Sequence, residues 1–241
     1  MLPRKVMEVW ACTTAALYTV VLGLPLIPIA LLSRTGRTPY KLCRAWSWLV
    51  LMTNRVEVRV QGLEKIDPDT SYIFMANHAS NLDPPVVALT LKNTLRFIAK
   101  KSLARVPLFG VAIRLARMII IDREDHASAT QAVNRATKDL TGGISAFFFA
   151  EGTRSLDGKL QRFKKGGAVL AISTGLPIVP VTIIGSFALM PKFTIRVKPG
   201  TVDVIIDDPI DPSVYPEEDR DLLLERVRSV ISANLEAAKG S

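Results

Sequence analysis

The sequence predicts an α/β fold: a mixed, mostly parallel central sheet flanked by helices, preceded by an N-terminal two-helix membrane anchor. Three observations carry this. From residue 55 onward, short apolar runs of strand length alternate with longer runs of helical pattern. An uncharged stretch, Val9 to Leu32, precedes them. The 241 residues suffice for one large α/β domain with an appendage.

The uncharged stretch is long enough to span a bilayer. Gly23, Pro25 and Pro28 interrupt it and would kink or break a helix. Arg4 and Lys5 precede it; Arg34, Arg37, Lys41 and Arg44 follow it. Basic residues at both ends give a single span no direction. A second apolar patch, Ala45 to Met52, is too short to cross alone, and Trp46 and Trp48 suit a membrane–water interface. Residues 1–54 therefore read as a bent two-helix anchor entering one leaflet, with both ends on the cytoplasmic side. A single span and a hairpin packed on a soluble domain are the alternatives. A cleaved signal peptide fits less well, because the apolar run is too long and shows no clear small-residue cleavage pattern.

Residues 55–241 form the second unit. Val56 to Val60 alternates like a half-exposed strand, and strand-like runs follow at 72–76, 95–99, 118–121, 144–149, 178–184, 194–197 and 202–206. Helix-like runs lie at 84–91, 103–116, 126–140, 166–174 and 220–237. The last carries Leu223, Val227, Val230, Ile231 and Leu235 at helical spacing, a core-facing stripe. Gly175 to Val181, bracketed by prolines, leads into a central strand.

Thirty-one Lys and Arg against 22 Asp and Glu give a net charge of +9. That balance suits an anionic membrane, a phosphorylated substrate or nucleic acid. No basic block with interleaved aromatics is present, so nucleic acid is the weaker partner. Cys12 and Cys43 form neither a disulfide framework nor a zinc pattern, and two widely separated histidines make a poor metal site.

The most informative segment is Asn77-His78-Ala79-Ser80-Asn81-Leu82-Asp83. His78 leaves the end of a buried strand, where sheet proteins place chemistry. Asp83, before Pro84-Pro85, opens a helix and would point back at that loop. A carboxylate on one ring nitrogen leaves the other as a base. The plain reading is a helix cap beside a solvated histidine. A second polar site, Asp122-Arg123, ends another strand; Arg123 either binds an anion or pairs with a neighbouring acid. A third, Glu151-Gly152-Thr153-Arg154-Ser155, follows Phe147-Phe148-Phe149-Ala150. Gly152 permits close backbone approach, Arg154 offers a planar fork to a phosphate, and Glu151 can hold that arginine or accept from a hydroxyl. Lys164 and Lys165 precede Gly166-Gly167 at a helix start, a favourable place for an anion or simply a solvated loop.

The order and spacing of His78-x4-Asp83, the strand ending at Arg123, Phe149-x-Glu151-Gly152-Thr153-Arg154-Ser155 and Pro177 to Pro180 resemble the glycerolipid acyltransferases. The resemblance is strongest to the bacterial 1-acyl-glycerol-3-phosphate acyltransferases and covers about residues 55–210. The N-terminal hairpin is similar to the two-helix membrane element of bacterial members. The resemblance implies acyl transfer from acyl-CoA or acyl-carrier protein to the sn-2 hydroxyl of lysophosphatidate. Phosphatidic acid for phospholipid biosynthesis would result, with no cofactor beyond the co-substrate. It implies a monotopic enzyme on the cytoplasmic side of the bacterial inner membrane. His78 would be the general base and Asp83 its orienting partner, with the substrate alcohol attacking directly. Arg154 and Arg123 would bind the acceptor phosphate, with Glu151 fixing Arg154, Gly152 and Thr153 shaping the same loop, and Lys100 and Lys165 adding positive charge. His126, after Glu124-Asp125, reads as surface.

Two positions depart from the family pattern. Ala150 stands where proline is usual, and Ala116-Arg117-Met118 where a glycine is usual. Neither removes a reactive side chain; both bear on loop shape and acceptor preference. Three alternatives remain from the residues alone: an acyltransferase with another acceptor, a non-catalytic lipid-binding protein, and a metal-dependent phosphoesterase using His78 and Asp83 as ligands.

Overall fold

The computed structural model describes residues 4–33, 35–122, 125, 131, 133, 137–216 and 219–240. It begins with a helical hairpin, α1 (Arg4–Leu32) and α2 (Arg37–Thr53). Of the two outcomes expected of Pro25 and Pro28, a kink or a break, the break does not occur: α1 runs through both. Each proline removes one ladder bond, and the helix continues through both. The helix ends instead before Gly36, whose φ of 69° is the left-handed turn that starts α2.

Strand β1 (Val56–Gln61) follows, then β2 (Ile73–Ala76), α3 (Asp83–Thr90), β3 (Thr94–Lys100), α4 (Phe109–Leu115) and β4 (Ile119–Ile121). Next come β5 (Ile144–Phe149), α5 (Gly166–Thr174), β6 (Ile178–Ile184), the short α6 (Ser186–Leu189), β7 (Gly200–Ile206) and α7 (Arg220–Ala237). The sheet runs β1-β7-β6-β2-β5-β3-β4. Only β6 and β7 pair antiparallel; the other neighbours are parallel. The mixed, mostly parallel sheet is therefore as the sequence predicts.

Three segments differ from expectation. The run 103–116 is broken by Pro107, leaving a 3-10 turn at Leu103–Arg105 before α4. Val106 is extended, as a residue before proline prefers. Residues 194–197 are unpaired rather than a strand. Both edges of β7 are already taken by β1 and β6, so this segment has no sheet edge to join. The expected helix at 126–140 falls largely outside the described residues.

The central strands are apolar on both faces, and their alternation divides the core. Phe74 and Ala76 of β2 pack with Leu82, Val86 and Leu91 around α3 and with Tyr40 and Leu51 of α2. Ile73 and Met75 point the other way, against Ala168 and Leu170 of α5 and Leu223, Val227 and Ile231 of α7. This is a sheet with helices on both faces. Pro180 is tolerated in central β6 because its nitrogen faces the point where the neighbouring chain leaves the ladder. Asp207 still donates to the Pro180 carbonyl, and pairing resumes between Ile178 and Ile210.

The hairpin is fastened to this sheet. Arg96 of β3 is 1% exposed, and its guanidinium donates to the carbonyls of Ala116, at 2.8 Å, and Thr35 in the α1–α2 turn. Burial pushes Arg96 down to about 10, so it stays charged at neutral pH. Arg37 donates to the Gly142 carbonyl, just before β5. The outer face of α1 is bare: Val9, Trp10, Leu17, Val21 and Leu24 are all exposed. Lys5–Pro25 is the one stretch, among the described residues, long and apolar enough to cross a membrane.

Candidate active site

Strands β2, β5, β3 and β4 are parallel neighbours, so the loops leaving them open on one edge of the sheet. Open α/β sheets bind ligands at that edge. Asn77 extends the ladder with its side chain, which donates to and accepts from the main chain of Ile183, both at 2.8 Å.

His78 comes next. Its Nδ1 lies 2.8 Å from Asp83 Oδ2, and the side chains are 14% and 0% exposed. Asp83 is the first residue of α3. Its Oδ2 also accepts the N–H groups of Ala79 and Ser80, each at 2.8 Å. A carboxylate only accepts, so Nδ1 carries the proton and Nε2 keeps its lone pair. That is the arrangement of an oriented general base.

The loop after β5 grips the same histidine by its main chain. Glu151 is 3% exposed, and one carboxylate oxygen accepts the His78 N–H at 2.6 Å. The other accepts the Gln161 N–H at 3.0 Å. Ser155 N–H donates to the His78 carbonyl at 2.8 Å. Burial pushes the Glu151 carboxyl up; the two N–H donors pull it back, and the charge of Asp83 adds to the rise. Glu151 therefore does not hold Arg154, as the sequence led one to expect. Its buried oxygens are taken by the nearest main-chain donors.

Arg154 is half-buried and makes no ion pair among the described residues. Thr153 is exposed. Gly152 has φ of 73°, and a Cβ there would come within 3.2 Å of Lys164 Cγ. Lys100 ends β3 and lines the same cavity as His78. Lys165 is placed elsewhere: it pairs with Asp221 of α7 at 2.8 Å, beside Arg162 and Glu225. Arg123 and His126 lie outside the described residues. Among the described residues, no three His, Cys, Asp or Glu side chains are placed to hold a metal.

His78 opens into an apolar cavity of about 240 Å³. One wall is the hairpin, including Tyr18, Leu22 and Trp46; the other is β3, α3 and α4, including Phe97, Pro85 and Ile113. Sequence reasoning missed this wall, because the residues of α1 and α2 read only as an anchor. It also missed Ser80, whose hydroxyl donates to the Met190 carbonyl at 2.8 Å, and Lys192. Local pattern carries no signal for contacts made so far along the chain.

The arrangement is an imidazole oriented by a carboxylate at the wall of an apolar cavity, and comparison with known proteins gives the chain's family. The acyltransferase family model matches residues 57–184. The chain belongs to the acyltransferase family. It is 35% identical over 178 residues to the chloroplastic 1-acyl-sn-glycerol-3-phosphate acyltransferase BAT2 of Brassica napus, covering 73% of this chain and 50% of that one. It is 34% identical over 192 residues to a 1-acyl-sn-glycerol-3-phosphate acyltransferase of Limnanthes douglasii, covering 79% and 68%. The chain spans about half the length of the chloroplastic relatives it matches. Its fold is similar to the crystal structure of the 1-acyl-sn-glycerophosphate acyltransferase PlsC of Thermotoga maritima. The TM-score is 0.83 and the identity 29%, covering 99% of this chain and 97% of that one.

Proposed function

We propose that the protein transfers a fatty acyl group from a thioester, acyl-CoA or acyl-carrier protein, to the sn-2 hydroxyl of 1-acyl-glycerol-3-phosphate. The observation that carries this reading is the position of His78: a partly buried, carboxylate-oriented imidazole in the wall of an apolar cavity. Nε2 takes the proton of the acceptor hydroxyl as its oxygen attacks the thioester carbonyl. A carbon–oxygen bond forms, the carbon–sulfur bond breaks, and His78 returns the proton to the departing thiolate. Asp83 stabilises the transient imidazolium. Its Oδ2 is saturated by three donors, which favours orientation over metal ligation.

The N–H groups of His78, Ala79 and Ser80 are committed to carboxylates, so the oxyanion is stabilised by other donors. The cavity takes the acyl chain, and Arg154 and Lys100 attract the acceptor phosphate. Arg123 is assigned to the same anion by its place after β4. The bare face of α1 seats the enzyme in one leaflet of the bacterial inner membrane, with the sheet on the cytoplasmic side.

The test is phosphatidate synthesis by purified protein in detergent or lipid, from lysophosphatidate and a long-chain acyl thioester, beside His78→Ala. Product formed by the parent and lost in a folded mutant supports the reading. Equal rates in both remove His78 from the mechanism.

A further inference from the structure

Lys192 lies between α6 and β7, in a segment that reads as connection only. Its Nζ donates to the Arg154 carbonyl at 2.9 Å and approaches Thr153 Oγ1 at 3.4 Å. An ammonium carries three N–H bonds, so one remains for a ligand. The same connection is tied to the loop after β2, because the Ser80 hydroxyl donates to the Met190 carbonyl. Lys192 thus sits where the connection after α6 meets both loops that hold His78.

Lys192 is held by neutral oxygens and not by a carboxylate. Lys65, Lys101 and Lys165 each pair with a carboxylate, Asp208, Asp122 and Asp221. Lys192 has only neutral oxygens among the described residues, and Arg154 beside it has no carboxylate either. Two cations on joined loops without a counter-charge leave a local positive field for an anion. The backbone adds a second sign. Phe193 holds φ of 67° and is 83% exposed, and Lys192 Nζ lies 5.4 Å from its ring centroid. A bulky residue held in the left-handed region is a feature found at ligand clamps.

We infer that Lys192 binds the phosphate monoester of the acyl acceptor as a second cation beside Arg154, while its other two N–H bonds shape the Glu151–Ser155 loop. This rests on the acceptor proposed above. The dianion would take the free N–H of Lys192 and the planar fork of Arg154.

The test compares the full chain with Lys192→Met and Lys192→Arg, varying lysophosphatidate and acyl thioester separately. Lys192→Met should raise the KM for lysophosphatidate about ten- to hundredfold. The KM for the thioester and the melting temperature should not change, and Lys192→Arg should recover most of the loss. With monoacylglycerol, which lacks the phosphate, parent and Lys192→Met should perform alike. A fall in kcat with no change in the acceptor KM, or a rise in both KM values together, would make Lys192 a structural clasp and overturn the assignment. Should the parent make no phosphatidate, the functional reading fails first, and lysophosphatidate binding by calorimetry decides the role of Lys192. A tenfold or greater loss of affinity in Lys192→Met supports it. Equal affinity, or no binding by the parent, overturns it.

Discussion

The rings of His78 and Phe149 are stacked, with centroids 3.9 Å apart and planes 19° from parallel. Phe149 ends β5 and His78 leaves the neighbouring β2, so the sheet register itself sets this contact. Asp83 fixes one edge of the imidazole and Phe149 fixes its plane, which together fix the direction of Nε2.

Phe149→Leu keeps apolar bulk and removes the stack. Such pairs contribute ~0.5–1.5 kcal/mol, and misorientation of a base acts on the chemical step. We expect kcat to fall up to about tenfold with both KM values unchanged. Steady-state kinetics check this; a kcat equal to the parent's would show that Asp83 alone orients the ring.

Asp83→Asn separates charge from geometry. Asp83 Oδ1 is buried without a partner, so an amide nitrogen can occupy that position while the oxygen keeps the three bonds of Oδ2. The fold should hold, because burying a neutral amide costs less than burying a charge. Activity should drop about 10²–10⁴-fold, as the imidazolium loses its counter-charge. Parallel melting and rate measurements test both halves; an unfolded variant would contradict the first.

Glu151 predicts a pH dependence. Burial first, with Asp83 adding to it, holds its folded carboxyl above the ordinary range against two N–H donors. A carboxyl raised on folding stabilises fully below its ordinary value, and that contribution is lost as pH rises through the folded value. The stability of Glu151→Gln relative to the parent should therefore improve as pH rises from about 4 toward neutrality. Glu151→Ala should be worse throughout, since the His78 N–H loses its acceptor, at about 1–3 kcal/mol. Denaturant titrations across that range would expose a flat difference, which contradicts the prediction.

Ala150→Pro restores the residue more usual in the family. The Ala150 N–H donates to the Ala76 carbonyl at 2.8 Å, one residue before Glu151. Proline cannot make that bond, so stability should fall by about 0.5–1.5 kcal/mol with activity kept. A higher melting temperature would show that backbone rigidity outweighs the lost bond.

The two cysteines should label at different rates. Cys12 is exposed on α1, whereas burial pushes the Cys43 thiol up to about 11 and its side chain lines the cavity. In detergent at mildly alkaline pH, one thiol should react quickly and the second slowly. Long-chain acyl thioester should slow Cys43 further. Mass spectrometry of the labelled chain reads both; equal rates would mean the cavity stands open.

Much of this was legible in the sequence where a signal is local. The apolar runs of β2, β5 and β6 mark buried strands, and the His78–Asp83 spacing marks the loop where the imidazole meets its carboxylate. Distant partners left no such trace. Thr194 to Val197 alternates as a strand would, yet whether a sheet edge is free depends on β1 and β6. Glu151 and Arg154 look like a pair when read along the chain. In space, Glu151 turns inward to His78 and Gln161, and Lys192 approaches the Arg154 carbonyl. Lys165 pairs with Asp221 of α7 for the same reason.

The clasp on the hairpin has an evolutionary consequence. Arg96 and Arg37 donate to the carbonyls of Thr35, Ala116 and Gly142, which are main-chain oxygens that every amino acid carries. Selection on this joint therefore falls on the two arginines and on the two glycines, Gly36 and Gly142. A Cβ at Gly36 would crowd the Arg117 side chain at 3.1 Å. Thr35 and Ala116 can drift in identity while the joint persists; Gly142 cannot drift as freely, because its φ is 55° and a Cβ there would come within 3.2 Å of Arg37. Related chains should keep the hairpin docked at this place with little common sequence in its turn.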